Sequence, residues 1–140
     1  MLLESNKSLC EIRAKIIVSK DRGTSRKHIL NNNNRKKVRQ YQLDGNIIKN
    51  EKSCDFLVLN DDDKKAFFIE LKGCNINEAI PQFEGAVKKL EAELNGYIYS
   101  FRVISSKNNT HNLNNSRFLK FKRKYNDILT RTNEFSEKID

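Results

Sequence analysis

Asp55, Glu70 and Lys72 are the residues of this chain whose types and spacing could do chemistry. Asp55 opens an apolar run, Phe56 to Leu59, and Glu70-Leu71-Lys72 closes a second, Ala66 to Ile69. The polar stretch Asn60-Asp61-Asp62-Asp63-Lys64 separates them. An antiparallel hairpin centred between Asp62 and Asp63 puts Asp55 opposite Glu70. Side chains alternate faces along a strand, so Glu70 and Lys72 share a face, and cross-strand pairing adds Asp55 to it. Paired carboxylates repel and a desolvated lysine is unfavourable; a bound divalent cation reverses both penalties. Hard oxygen ligands at a half-open position suit Mg²⁺, which completes its shell with water and substrate phosphate. The chemistry this predicts is metal-assisted hydrolysis of a phosphodiester, with Lys72 orienting or helping to deprotonate a water. The competing assignment is structural, an ordinary salt bridge among these charges on a solvent-facing sheet edge.

Cys54-Asp55 followed by Phe68-Ile69-Glu70-Leu71-Lys72-Gly73 resembles the motif of the PD-(D/E)xK phosphodiesterase superfamily, an acid at the start of one strand and Glu-x-Lys on the next. The resemblance extends from Asp44 to about Leu94, and Cys54 stands where the motif name has proline. It implies an α/β fold with a mixed central β-sheet flanked by helices, the restriction-endonuclease-like core. It also implies a Mg²⁺ or Mn²⁺ cofactor held by Asp55, Glu70 and the Leu71 carbonyl, with Lys72 serving the attacking water. Gln82, one turn into the following helix, would reach the metal's water or the scissile phosphate. DNA is the substrate the resemblance favours, structured RNA the alternative, and the products would carry 5′-phosphates. Many members have a further upstream acid; Glu4 and Glu11 are candidates, and spacing does not choose between them. A reading from a different class keeps the core without catalysis, as a nucleic-acid-binding or protein-interaction module.

The chain has 140 residues, enough for one domain, with its core expected over about residues 35–105. Its net charge of +9 predicts a polyanionic partner, because lysines and arginines that neutralise phosphates release condensed counterions. Two segments carry that charge: Arg35, Lys36, Lys37 and Arg39 before the hairpin, and Arg117, Lys120, Lys122, Arg123 and Lys124 near the C-terminus. No stretch reaches membrane-span length and no signal-peptide pattern opens the chain, so a cytoplasmic protein with no membrane partner is expected. Cys10, Cys54 and Cys74 form no CxxC pair or zinc spacing and are read as small hydrophobes. Cutting both strands with one site per chain would make a homodimer reasonable.

The elements that must position these residues follow from periodicity and punctuation. Alternation from Cys10 to Val18 predicts a strand, with a short helix around Leu2, Leu3 and Leu9 before it. Residues 19–34 read as a basic loop or arm around Gly23, or a solvated linker. Arg35–Leu43 predicts a strand and Asp44-Gly45 a turn. After Gly73, Asn75 or Asn77 caps a helix with an apolar stripe of Ile80, Phe83, Val87, Leu90 and Leu94, Pro81 falling near its first turn and Asn95-Gly96 ending it. Tyr97–Ile104 predicts a strand, and strand-helix-strand implies a right-handed crossover to a parallel neighbour. His111 lies in an asparagine-rich loop. Asn115 or Ser116 caps a basic amphipathic helix over about 116–128, with Phe118, Phe121, Tyr125 and Ile128 inward, suited to phosphate-backbone contact. The segment from Leu129 to Ile139 predicts one final edge strand.

Overall fold

The fold is described from a computed structural model, over residues 1–71, 76–106 and 116–140. A 3₁₀ turn at Ser5–Lys7 precedes β1 (Ile16–Lys20), β2 (Lys27–Asn31), β3 (Val38–Gln42), β4 (Phe56–Asn60) and β5 (Lys65–Leu71). Then come α1 (Ile76–Leu90), β6 (Ile98–Ser105), α2 (Ser116–Tyr125), β7 (Ile128–Thr132) and β8 (Glu134–Lys138). The architecture is mixed α/β and mostly strand, with two mixed sheets.

The larger sheet has the order β3-β4-β5-β6-β7. β3, β4 and β5 form an antiparallel meander, and β6 and β7 continue it in parallel. The central hairpin pairs Phe56 with Ile69 and Asn60 with Lys65, the register expected from the sequence. Positive φ at Lys64 (56°) lets the turn close. Parallel pairing of β5 with β6 requires a crossover, and α1 supplies it.

Alternation along the strands sorts the core into two clusters. Leu57, Leu59, Ala66, Phe68, Phe101 and Val103 face α1 and α2, meeting Ile80, Phe83, Val87, Leu90, Phe118 and Phe121. Phe83 and Phe121 each pack edge-on against Phe101, at ring centroid distances of 5.0 and 4.8 Å. Val58, Phe67, Ile69 and Ile104 face the other way, against Ile17, Leu30 and Ile139. The helices therefore cover one face only. The other face is covered by a smaller sheet, β1-β2-β8, in which β1 and β2 are antiparallel and β2 and β8 parallel.

That sheet corrects three expectations. Residues 19–34, read as a loop or linker, build most of a hairpin. The apolar alternation ahead of it is on the outside: Ile12, Ile16 and Val18 are 65, 55 and 43% exposed, while Ile17 and Ser19 are buried. Gln40 explains the inner position of Ser19, since its amide donates to Ser19 Oγ at 3.1 Å and to the Val18 carbonyl at 2.8 Å. Finally, the C-terminal segment forms two strands in different sheets, turning at Asn133, whose φ is 63°.

A buried ion cluster joins the layers. Arg102 on β6 is 4% exposed and lies between Glu137 (Nε to Oε2, 2.7 Å) and Asp127 (Nη1 to Oδ1, 2.8 Å). His28, fully buried on β2, meets the same Glu137 Oε2 at 2.7 Å. Ser100 donates to Asp127 at 2.6 Å.

α1 begins at Ile76, so Pro81 lies in its second turn rather than the expected first. Past its midpoint the helix meets the β3–β4 connection so closely that a Cβ on Gly85 would fall within the van der Waals envelope of the Lys52 carbonyl oxygen. Gly85→Ala therefore sets a helix-propensity gain of about 1 kcal/mol against displacement of a main-chain carbonyl. Overpacking of this kind costs roughly 1–3 kcal/mol, and backbone cannot rotate out of the way. Net destabilisation in urea unfolding is expected, and an increase in the midpoint would show that the loop yields freely.

Candidate metal centre and cleft

Asp55 sits one residue before β4 yet is fixed by main-chain bonds on both sides. Its N–H donates to the Ile69 carbonyl at 3.1 Å and its carbonyl accepts from Leu43 at 2.8 Å. Its side chain reaches across β5, where Oδ2 accepts the Leu71 N–H at 2.8 Å. Glu70, between those two residues of β5, is 1% exposed and hydrogen-bonds to the Asp55 carboxyl. The ladder itself ends at the Phe56–Ile69 pair, and Asp55 reaches the Glu70 carboxyl from just beyond it. Two carboxyl groups this close and this buried disfavour double ionisation, and a cation relieves that cost.

Electrostatics agree with this crowding. Burial, the largest influence, raises the Asp55 pKa, hydrogen bonds from Leu71 and Glu70 oppose it, and the negative charges of Asp44 and Asp21 raise it further. The net direction is upward. The thiol of fully buried Cys54 is pushed well up by desolvation and then by the charges of Glu70 and Asp55. Cys54 belongs to the core, as expected.

Asp55 opens onto a cleft of about 250 Å³ lined by Lys20, Asp21, Arg22, Gln42, Asp44, Phe56 and Leu71. Asp44, seen in the sequence only as a turn residue, is an acid beside the site. The proposed upstream acids are elsewhere. The segment bearing Glu4 and Glu11 lies along β3, where Leu9 N–H bonds Gln40 and the Glu4 carbonyl accepts from Tyr41 Oη. No group of three or more His, Cys, Asp or Glu side chains suited to a metal occurs among the described residues. A cation here would rest on Asp55, Glu70 and the Leu71 carbonyl, with waters completing its shell, a donor set of hard oxygens that fits Mg²⁺ or Mn²⁺.

Lys72, Cys74 and His111 lie outside the described residues. Gln82 has a different contact from the one expected. Its Oε1 accepts the Ser53 N–H at 3.1 Å, tying α1 to the chain two residues before Asp55. That makes it a positioning residue for the loop that carries the acid. Gln82→Leu should leave substrate affinity unchanged while lowering the rate of any cleavage roughly 10-fold, since small misplacement at a reacting centre is costly. Single-turnover kinetics against substrate concentration would separate the two.

The basic segments divide. Arg35, Lys36, Lys37 and Arg39 lie at the opposite end of the hairpin, about 17 Å away along five strand residues. There Arg39 makes a bidentate pair with Asp61 (2.6 and 2.9 Å) and Lys36 pairs with Asp63 at 3.3 Å. These two cations are engaged structurally, and their segment does not border the Asp55 cleft. On α2, Arg117 pairs with Glu84 at 2.9 Å. Lys120, Lys122, Arg123 and Lys124 are exposed and, among the described residues, have no ion-pair partner. Lys120 and Lys124 line a groove of about 470 Å³ between the helices, together with Lys88, Glu84 and Glu91.

No protein-family model, curated protein or solved structure matches the chain. Among the described residues no helix is long and apolar enough to cross a membrane.

Proposed function

We propose that this protein is a cytoplasmic Mg²⁺- or Mn²⁺-dependent nuclease that hydrolyses phosphodiester bonds, with DNA the favoured substrate. The observation that carries the reading is the proximity of Asp55, which precedes β4 and opens onto the cleft, to the buried carboxyl of Glu70 on β5. The meander followed by a helical crossover is consistent with the restriction-endonuclease-like core that the sequence resembles.

Asp55, just before β4, would hold the metal together with Glu70 and the Leu71 carbonyl of β5, and the Leu71 N–H fixes the orientation of the Asp55 carboxylate. Bound there, the cation would supply positive charge to the phosphate oxygens and make water a better nucleophile near neutrality. Lys72 follows Glu70 by two residues and, by the resemblance, serves the attacking water. The cations of α2 hold phosphates of the same strand without reading bases. Two chains acting together would cut both strands of a duplex.

The experiment is incubation of purified protein with plasmid, single-stranded DNA and total RNA, with Mg²⁺ or Mn²⁺ against EDTA. Cleavage lost in Asp55→Ala and Lys72→Ala with binding retained supports the enzyme. RNA alone cut would change the substrate, and salt-sensitive binding with no cleavage of any substrate would replace the enzyme with a binding module.

A further inference from the structure

The β1–β2 turn lines the cleft onto which Asp55 opens, a placement fixed by distant residues and not by local sequence. Lys20 ends β1 opposite Lys27, and residues 21–26 turn the chain with Gly23 at φ 75°. This tip is fastened. Arg26 bonds Asp21 Oδ2 through Nη2 at 2.6 Å and Ser106 Oγ through Nη1 at 2.7 Å, fixing the turn to the residue that follows β6. The Asp21 N–H also donates to the Arg26 carbonyl at 3.3 Å.

Charge bookkeeping at the tip is one-sided. Asp21, its only acid, is engaged by Arg26. Lys20 and Arg22 are exposed, line the cleft with Asp55, Asp44 and Gln42, and have no ion-pair partner among the described residues. The carboxylates of Asp55 and Asp44 on the cleft wall repel a polyanion on approach. Fixed cations on the facing wall attract a phosphate diester and place it over the carboxylates. Guanidinium and ammonium groups suit this, the first by bidentate bonds to phosphate oxygens and the second as a point charge.

We propose that the β1–β2 tip is a phosphate clamp, in which Lys20 and Arg22 bind the nucleic-acid backbone at the cleft and Arg26 holds the turn in position. The inference rests on the nuclease reading and adds residues to its substrate site. They are substrate-binding residues, which touch the phosphate backbone away from the proposed ligands.

The test uses full-length Asp55→Asn protein, so that substrate stays intact, and the double variant Lys20→Ala/Arg22→Ala in that background. Affinity for a fluorescein-labelled DNA oligonucleotide is measured in EDTA across a salt series. The double variant should bind roughly 10- to 100-fold more weakly near 0.1 M salt, and its log Kd against log salt slope should fall by about 2. Lys7→Ala, on the exposed 3₁₀ turn, should change neither by as much. An unchanged slope and affinity in the double variant, with binding present in the parent, overturns the clamp and leaves the nuclease reading standing. Absence of binding by the parent as well, on DNA and RNA, overturns both. Thermal melts of each variant establish that the fold is kept.

Discussion

Asp55→Asn is expected to abolish metal-dependent cleavage and, in the same protein, to raise the melting temperature measured in EDTA. Both results have one cause. The folded-state pKa of Asp55 is raised, so the native state binds that proton more tightly than the unfolded chain does. Stability is therefore lost as pH rises from the ordinary aspartate value through the raised one, and above it the whole cost remains. Asparagine removes the charge while its oxygen can still accept the Leu71 N–H and its amide can donate to Glu70. A gain of roughly 2–4 °C near neutral pH corresponds to about 1 kcal/mol in a domain of this size. Mg²⁺ should distinguish the two proteins. At ten times its Kd it stabilises the wild type by about 1.4 kcal/mol through linkage, and it should leave the variant unmoved. Calorimetric or fluorescence melts with and without MgCl₂ check this directly, and wild-type cleavage by Asp55→Asn would end the metal-centre reading.

The second large effect belongs to Arg102. Removing one partner from a buried ion cluster strands the others, and the cost is typically about 3–5 kcal/mol. Arg102→Met leaves Glu137 facing only His28, so a fall in melting temperature of roughly 10 °C or more is expected. Asp127→Asn should cost much less, because the Asp127 side chain is 44% exposed and water can serve the remaining groups. Glu137 gives the cluster its pH dependence. Burial alone would raise its pKa, but hydrogen bonds from His28 and Arg102 and their charges outweigh that and hold it low. Its contribution is complete above the ordinary glutamate range and is lost as pH falls through the lowered folded value. Urea unfolding from pH 7 down to 3 should show this loss in the wild type and a shallower slope in Arg102→Met. Equal slopes would assign acid sensitivity to other carboxylates, Asp61 first among them.

What could be read from the sequence was what repeats along it. The hairpin carried its own register, because two apolar runs and one polar turn leave a single pairing that buries both. The stripe Ile80, Phe83, Val87 and Leu90 set α1, and helix between strands set the parallel pairing of β5 and β6. Asp55 and Glu70 were placed by these local rules. Long-range pairings were not legible. Nothing in Lys27–Asn31 announces β8 as its partner more than a hundred residues later, and a hairpin whose inner face has Ile17, Ser19 and His28 shows a weak apolar signal. Lys20 and Arg22 were noticed only as charges because the site they face is formed by distant residues. Arg39 misled for the opposite reason, since its acidic partner Asp61 lies on the next hairpin turn and cancels in space a charge that counts in composition.

The split of β7 and β8 between the two sheets has a consequence for biogenesis. Residues 128–132 complete the larger sheet and 134–138 the smaller, and Ile139 is fully buried between them. Neither layer can close until this stretch has left the ribosomal exit tunnel, so the residues that precede it must hold an unfinished β-structure until then. Translation arrested before residue 128 should yield a protease-sensitive intermediate, and cooperative folding should begin only once β8 has emerged.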